Sequence, residues 1–198
     1  MKKYELTDET NDSGLFRIRA LREIPSFGVK AGDLGGFIGS EKNLNHRGNC
    51  WVSGDAEVSG NAWVSDNARV FGNARVSGDA EVSGDAWVSD NARVFGDAWV
   101  FGDARVFGDA WVFGDAWVSG NAKIENKSDV VCISNVGSEN GTLTMFKTTT
   151  GIGVTRGCFR GSYNEFIEKV KKHHGDNDHG RFYLEIAQLL HNKIISGF

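Results

Sequence analysis

Between Val52 and Ile124 the chain alternates apolar and polar positions with a period of six. Valine takes the first place of every hexapeptide from Val52 to Val118, Ile124 takes the thirteenth, and alanine holds the fifth place from Ala56 to Ala122. The intervening places read Ser-Gly or Phe-Gly followed by Asp or Asn, or Ser-Asp-Asn, and an outer Trp, Arg, Glu or Lys follows the alanine. Six residues turn an α-helix through about 600°, so this stripe would drift around a helix instead of forming a face. The period suits short strands joined by tight corners. Val favours the pleated conformation, and Gly-Asp, Gly-Asn and Asp-Asn pairs tolerate the positive φ of a sharp corner. Alanine fits where corners converge. Each hexapeptide is therefore one side of a coil, with coils stacked at the strand spacing of about 4.8 Å.

The pattern of an aliphatic residue followed four places later by a small one resembles the hexapeptide-repeat family. That resemblance implies a left-handed parallel β-helix, a triangular solenoid with three hexapeptides per coil and slightly more than four coils. With three sides, residues eighteen apart stack on one outer face. The first face carries Trp51, Arg69, Trp87, Arg105 and Lys123. The second carries Glu57, Arg75, Arg93 with Phe95, and Trp111 with Phe113. The third carries Trp63, Glu81, Trp99 with Phe101, and Trp117. Aromatic side chains in such number are seldom left in water. A homotrimer is expected, matching the usual state of the family, with Phe95, Trp99, Phe101, Trp111, Phe113 and Trp117 at the subunit interface.

Residues 1–50 read as an N-terminal β cap, with KYEL and LFRIRALREI as its clearest strands. A cap is physically required, because an open coil exposes unpaired backbone groups. Lys3-Tyr4, Val29-Lys30-Ala31-Gly32, Gly35-Gly36 and Gly48-Asn49-Cys50-Trp51 resemble the opening of YdcK-like hexapeptide proteins, which are frequent in phages and prophages. The repeats cover 51–127. Residues 128–198 break the period and predict a small α+β domain. Its strands are DVVCISNVG, TLTMFKTTTG and IGVTRGCFRG. Ser162 and Glu165 form a capping box for one helix, and a second helix runs from about Arg181 to Lys193. The fold class is mainly β.

The net charge of −4 conceals an asymmetry. Residues 141–198 hold eight Lys or Arg and five Asp or Glu, a net of +3, and four of the five histidines. This points to an anionic ligand at the C-terminal end, but nucleic acid is not expected. Three cysteines at unrelated spacings fit neither a metal site nor a paired disulfide framework. The N-terminus lacks a signal-peptide pattern and no stretch approaches membrane-spanning length, so a cytoplasmic protein with no membrane partner is expected, in the host cytoplasm if phage-encoded.

Acyl transfer from acetyl-coenzyme A, common among hexapeptide proteins, requires a histidine base near an expelled loop. The repeats contain neither, and only His46 lies upstream. Asp79, Asp97 and Asp115 share one corner edge, where turn chemistry explains them better than calcium. Cys158 with His174 or His179 lacks an orienting third group. His173, His174, Asp176, Asp178 and His179 fit a solvated loop better than a metal site. No catalytic residue, metal or cofactor is assigned. The favoured ligand-binding group is Arg156, Arg160, Lys172, His174, His179 and Arg181, with Tyr183, Tyr163 or Phe159 available to stack on a base. The sequence thus suggests a non-enzymatic homotrimer of phage or prophage origin. It would bind and sequester a nucleotide-like molecule or a host protein, and interference with a host defence system would fit that origin. An acyltransferase and a purely structural solenoid are the alternatives.

Overall fold

The structure is a computed structural model and describes residues 2–197. Three strands open the chain, β1 (Tyr4–Thr10), β2 (Phe16–Ala20) and β3 (Leu34–Ile38), paired antiparallel in sequence. Thirteen two-residue strands follow, β4 (Trp51–Val52) through β16 (Lys123–Ile124), one every six residues. Each of β4 to β13 pairs in parallel with the strand eighteen residues on, as in Trp51 with Arg69 and Trp87 with Arg105. Three ladders result, one per side, so the coil is a three-sided β-solenoid of about five turns. The three outer faces are those expected from stacking at eighteen residues.

The bore explains the repeat. Every valine from Val52 to Val118 is fully buried, and the alanines are no more than 1% exposed. The corner glycines from Gly54 to Gly120 adopt φ of 61–76°, which lacks a steric penalty only without a Cβ. Two repeats place aspartate there instead, Asp66 and Asp90, at φ 56° and 57°. Each carboxylate accepts from the backbone N–H of the next coil, Gly84 at 3.1 Å and Gly108 at 3.2 Å. A local hydrogen bond thus offsets the strain that glycine avoids.

The solenoid starts before the regular repeat. β3 pairs in parallel with the Glu57–Val58 strand, and Leu44 bridges to Val64, both at an offset of twenty residues. The two extra residues fall between Leu44 and Trp51, where the offset drops to eighteen, and a 3₁₀ turn at Glu41–Asn43 precedes them, in which Asn43 is fully buried. Its amide donates to the carbonyls of Gly60 (3.0 Å) and Ala62 (2.8 Å), completing the backbone pairing that the irregular coil would otherwise lose.

Beyond Ile124 a second unit begins. β17 (Val130–Val136), β18 (Gly141–Thr148), β19 (Gly151–Arg156) and β20 (Phe159–Ser162) form an antiparallel sheet in chain order. Helices α1 (Tyr163–His174) and α2 (Asp178–Ser196) complete it. Ser162 caps α1 with Glu165 in a reciprocal capping box, as expected. The segment read as one strand, IGVTRGCFRG, is two, because Gly157 at φ 54° turns the chain back. α2 starts earlier than expected, where Asn177 accepts from the N–H of Gly180 at 2.8 Å.

Phe146 and Val130 join the solenoid core, while Leu143, Met145, Val154, Phe166, Tyr183 and Ala187 form a separate one. The sheet is tied to the last coil through Trp117, whose N–H donates to Thr144 Oγ1 (3.2 Å) and whose carbonyl accepts from Thr155 Oγ1 (2.8 Å). Sheet and solenoid end therefore hold each other in place.

Candidate functional site

The turn between β19 and β20 and the last two turns of α1 face each other across a cleft of about 370 Å³. Phe159, Phe166, Val170 and Tyr183 give it an apolar wall, while Arg156, Lys169, His173 and His174 supply polar groups. Spacing on α1 explains part of this. Phe166 and Val170 point into the module core, and Lys169 and His173, also four apart, flank them at the rim.

Arg156 is the most constrained of these groups. Its Nε donates to the Tyr183 hydroxyl at 2.9 Å, one terminal nitrogen donates to the Val136 carbonyl at 2.9 Å, and the other lies 3.8 Å from Glu139. A side chain at Gly141 would collide with this guanidinium, and one at Gly137 with the Tyr183 hydroxyl. Those two glycines create the space in which Arg156 and Tyr183 meet. The His174 imidazole lies 5.6 Å from the Tyr183 ring and 4.9 Å from that of His173, measured between centroids. Burial, and then the neighbouring His173 and His179, hold its pKa below the ordinary histidine value. Cys158 is exposed at the mouth, and its thiol makes no hydrogen bond among the described residues.

Of the residues expected to bind a ligand, Arg156, His174 and Tyr183 line this cleft together. His179 lies beside it, its ring 6.3 Å from that of His174. Lys172 borders a separate groove with Glu165, Glu168, Lys169 and His173. Arg181 is occupied by its own loop, donating to the Asp176 carbonyl at 2.6 Å and pairing with Asp178. Arg160 leaves the module altogether and lies over the rings of Phe101 (5.4 Å) and Trp117 (5.2 Å). Lys169 and Glu139 enter the site without having been singled out, and His173, weighed in the sequence only as a metal ligand, joins them. The helical spacing of Phe166, Lys169, Val170 and His173 was a legible signal for two of them. Among the described residues, no group of three or more His, Cys, Asp or Glu side chains is arranged to hold a metal ion.

The repeat itself matches a known model. Segments 64–78, 68–84 and 86–102 match the YdcK β-solenoid repeat. The chain is a repeat-type β-helix protein. These segments lie wholly within the β-solenoid, and the module that forms the cleft lies outside them. No curated protein matches the chain.

On the β-solenoid, the aromatic residues expected at a subunit interface form two clusters. Phe95 stacks on Phe113 at 5.5 Å and meets Trp111 edge-on at 6.2 Å, while Trp99 stacks on Trp117 at 5.0 Å. Trp99 and Phe113 are 40% and 48% exposed, so these are apolar surfaces in water. Phe101 and Trp117 are part-covered by Arg160. The single upstream histidine, His46, stacks on Tyr4 at 4.4 Å, and its Nδ1 accepts from the Lys3 amide at 3.2 Å. No helix of the described residues is long and apolar enough to cross a membrane.

Proposed function

We propose that this protein is a non-enzymatic homotrimer that binds and retains a small anion bearing a planar ring, such as a nucleotide, in the C-terminal cleft. The observation that carries the reading is the cleft's composition. Cationic and titratable groups (Arg156, Lys169, His173, His174) surround an apolar wall that includes Phe159 and Tyr183. A planar ring fits the wall, and phosphate or carboxylate oxygens fit the rim. The β-solenoid acts as a rigid mount that oligomerises through its aromatic faces. In this role the protein sequesters its ligand, and for a phage- or prophage-encoded chain the ligand would be a nucleotide used by a host defence system.

Acyl transfer is the weaker reading. The coils run from Trp51 to Ile124 without an interrupting loop, and His46 is engaged by Tyr4 and the Lys3 amide.

Native mass spectrometry of the purified protein, before and after denaturation, tests the proposal. A trimer that releases a nucleotide-like mass, or ligand-free protein that takes up a mono- or dinucleotide, is the expected result. Failure of ligand-free trimer to take up any member of a nucleotide panel would overturn the assignment of the cleft.

A further inference from the structure

The three solenoid faces differ in what they leave unsatisfied. The first is already occupied, because Trp51 is buried and the Arg69 guanidinium lies under the Phe27 ring at 5.3 Å. Lower down, Arg105 covers Trp87 at 4.1 Å. The third face is a ridge. Trp63 and Trp99 are 45% and 40% exposed, and Glu81 lies between them in the ladder. Glu81 is half-buried and has neither an ion pair nor a hydrogen bond among the described residues. A carboxylate drawn partly out of water between two indoles calls for a cation.

The second face holds the complement. It carries a groove of about 350 Å³ lined by Glu57, Ser59, Arg75, Ser77, Arg93, Phe95 and Trp111, in which the small serines leave room between the larger side chains. Arg75 is already paired with Glu57 at 3.4 Å. The Arg93 guanidinium lies over the Trp111 ring at 5.4 Å and has no carboxylate partner among the described residues.

Resting on the trimer reading above, we infer that the third face of each subunit docks into the second face of the next copy. In that interface the Trp63–Trp99 ridge enters the groove, and Glu81 pairs with Arg93 of the neighbouring copy. Three identical prisms closed about an axis parallel to their own all sit at one height, and each must use two different faces. Glu81 lies twelve residues before Arg93, less than one eighteen-residue coil, so the two heights differ by less than about 4.8 Å. Side chains of that length span the difference. The first face remains outward.

A charge-swap series on the full chain, read by native mass spectrometry and sedimentation, tests this. Glu81→Arg and Arg93→Glu each replace the pair with like charges, and the trimer should dissociate at concentrations on the order of a hundredfold higher than for the parent. The double variant Glu81→Arg/Arg93→Glu should restore the trimer, a recovery that misfolding of either single variant would not produce. Arg105→Glu, the same reversal on the first face, should leave the trimer intact. Single variants that remain trimeric, a double variant that stays dissociated, or loss of the trimer in Arg105→Glu would overturn the face assignment. A parent protein that is not a trimer would overturn the trimer reading itself, so the two failures are distinguishable.

Discussion

Lys3 donates from its amine to Sγ of Cys50 at 3.0 Å and to the Cys50 carbonyl at 2.7 Å, and neither residue reaches solvent. Cys50 stands in the Gly-Asn-X-Trp-Val context where the repeats carry alanine, so its larger side chain faces the bore at the capped end. The thiol lies within 3.4 Å of the Asn45 carbonyl and 3.5 Å of that of Val64. Lys3 thus anchors β1 to the first coil from inside. Lys3→Ala is expected to cost about 2–4 kcal/mol, through a cavity and an orphaned carbonyl. Lys3→Met orphans the same carbonyl but keeps the volume, so it should cost less than Lys3→Ala. Urea denaturation of both variants checks the order.

The same pair sets a pH dependence. Burial holds the Lys3 amine below its ordinary 10.5 and pushes the Cys50 thiol above its ordinary 9.0. Between its folded pKa and 10.5 the Lys3 amine binds more protons unfolded than folded, so it makes stability rise with pH. Above 9.0 the unfolded Cys50 thiol ionises first, so it makes stability fall. The two oppose each other in the parent. In Lys3→Met only the falling contribution remains, and melting temperatures measured from pH 8 to about 10.5 should drop more steeply than in the parent.

Corner positions should separate by what lies over them. A Cβ at Gly84 would sit 2.8 Å from the Gly102 amide nitrogen, at φ 68°. At Gly120 φ is 61° and nothing lies within 4 Å. Gly120→Ala then carries only the left-handed strain, about 1 kcal/mol, whereas Gly84→Ala adds a backbone clash and should cost about 2–4 kcal/mol. Equal thermal shifts for the two would contradict this account.

Arg156 acts as a brace as well as a cleft group. Arg156→Ala leaves the Tyr183 hydroxyl and the Val136 carbonyl without their donor and should destabilise the C-terminal module by about 2–3 kcal/mol. Lys169→Glu reverses a charge at the exposed rim and should leave the melting temperature within about 2 °C of the parent while abolishing nucleotide uptake. Calorimetric titration beside a thermal melt distinguishes the two classes of effect.

Ligand binding should strengthen in acid. His174 is held below the ordinary histidine value of 6.5 by burial and by its histidine neighbours. An anion bound beside it favours the protonated ring, so binding takes up a proton and affinity rises as pH falls below about 6.5. His174→Gln should flatten that profile. A parent affinity independent of pH from 5 to 8 would remove His174 from the binding group.

The solenoid was legible in the sequence because a coil is a periodic object. Once Val recurs every sixth residue and a coil spans eighteen, the neighbour of every outer side chain follows from counting, as with Trp99 over Trp117 or Arg105 under Trp87. The C-terminal capping box was equally local, since Ser162 and Glu165 meet within one helical turn. The cleft is not local. Arg156, Arg160 and Arg181 look alike in composition, yet one braces Tyr183, one crosses to the solenoid aromatics and one folds back on its loop. Those fates depend on how a four-stranded sheet turns at Gly157 and where α1 lies against it, which no period in the chain encodes. The first coil was hidden for the same reason, because Asn43 supplies through its side chain the pairing that the repeats obtain from their backbone. Periodicity determined the stacked scaffold, the family resemblance supplied its three sides, and only the tertiary packing of non-repeating segments decided which charged groups converge.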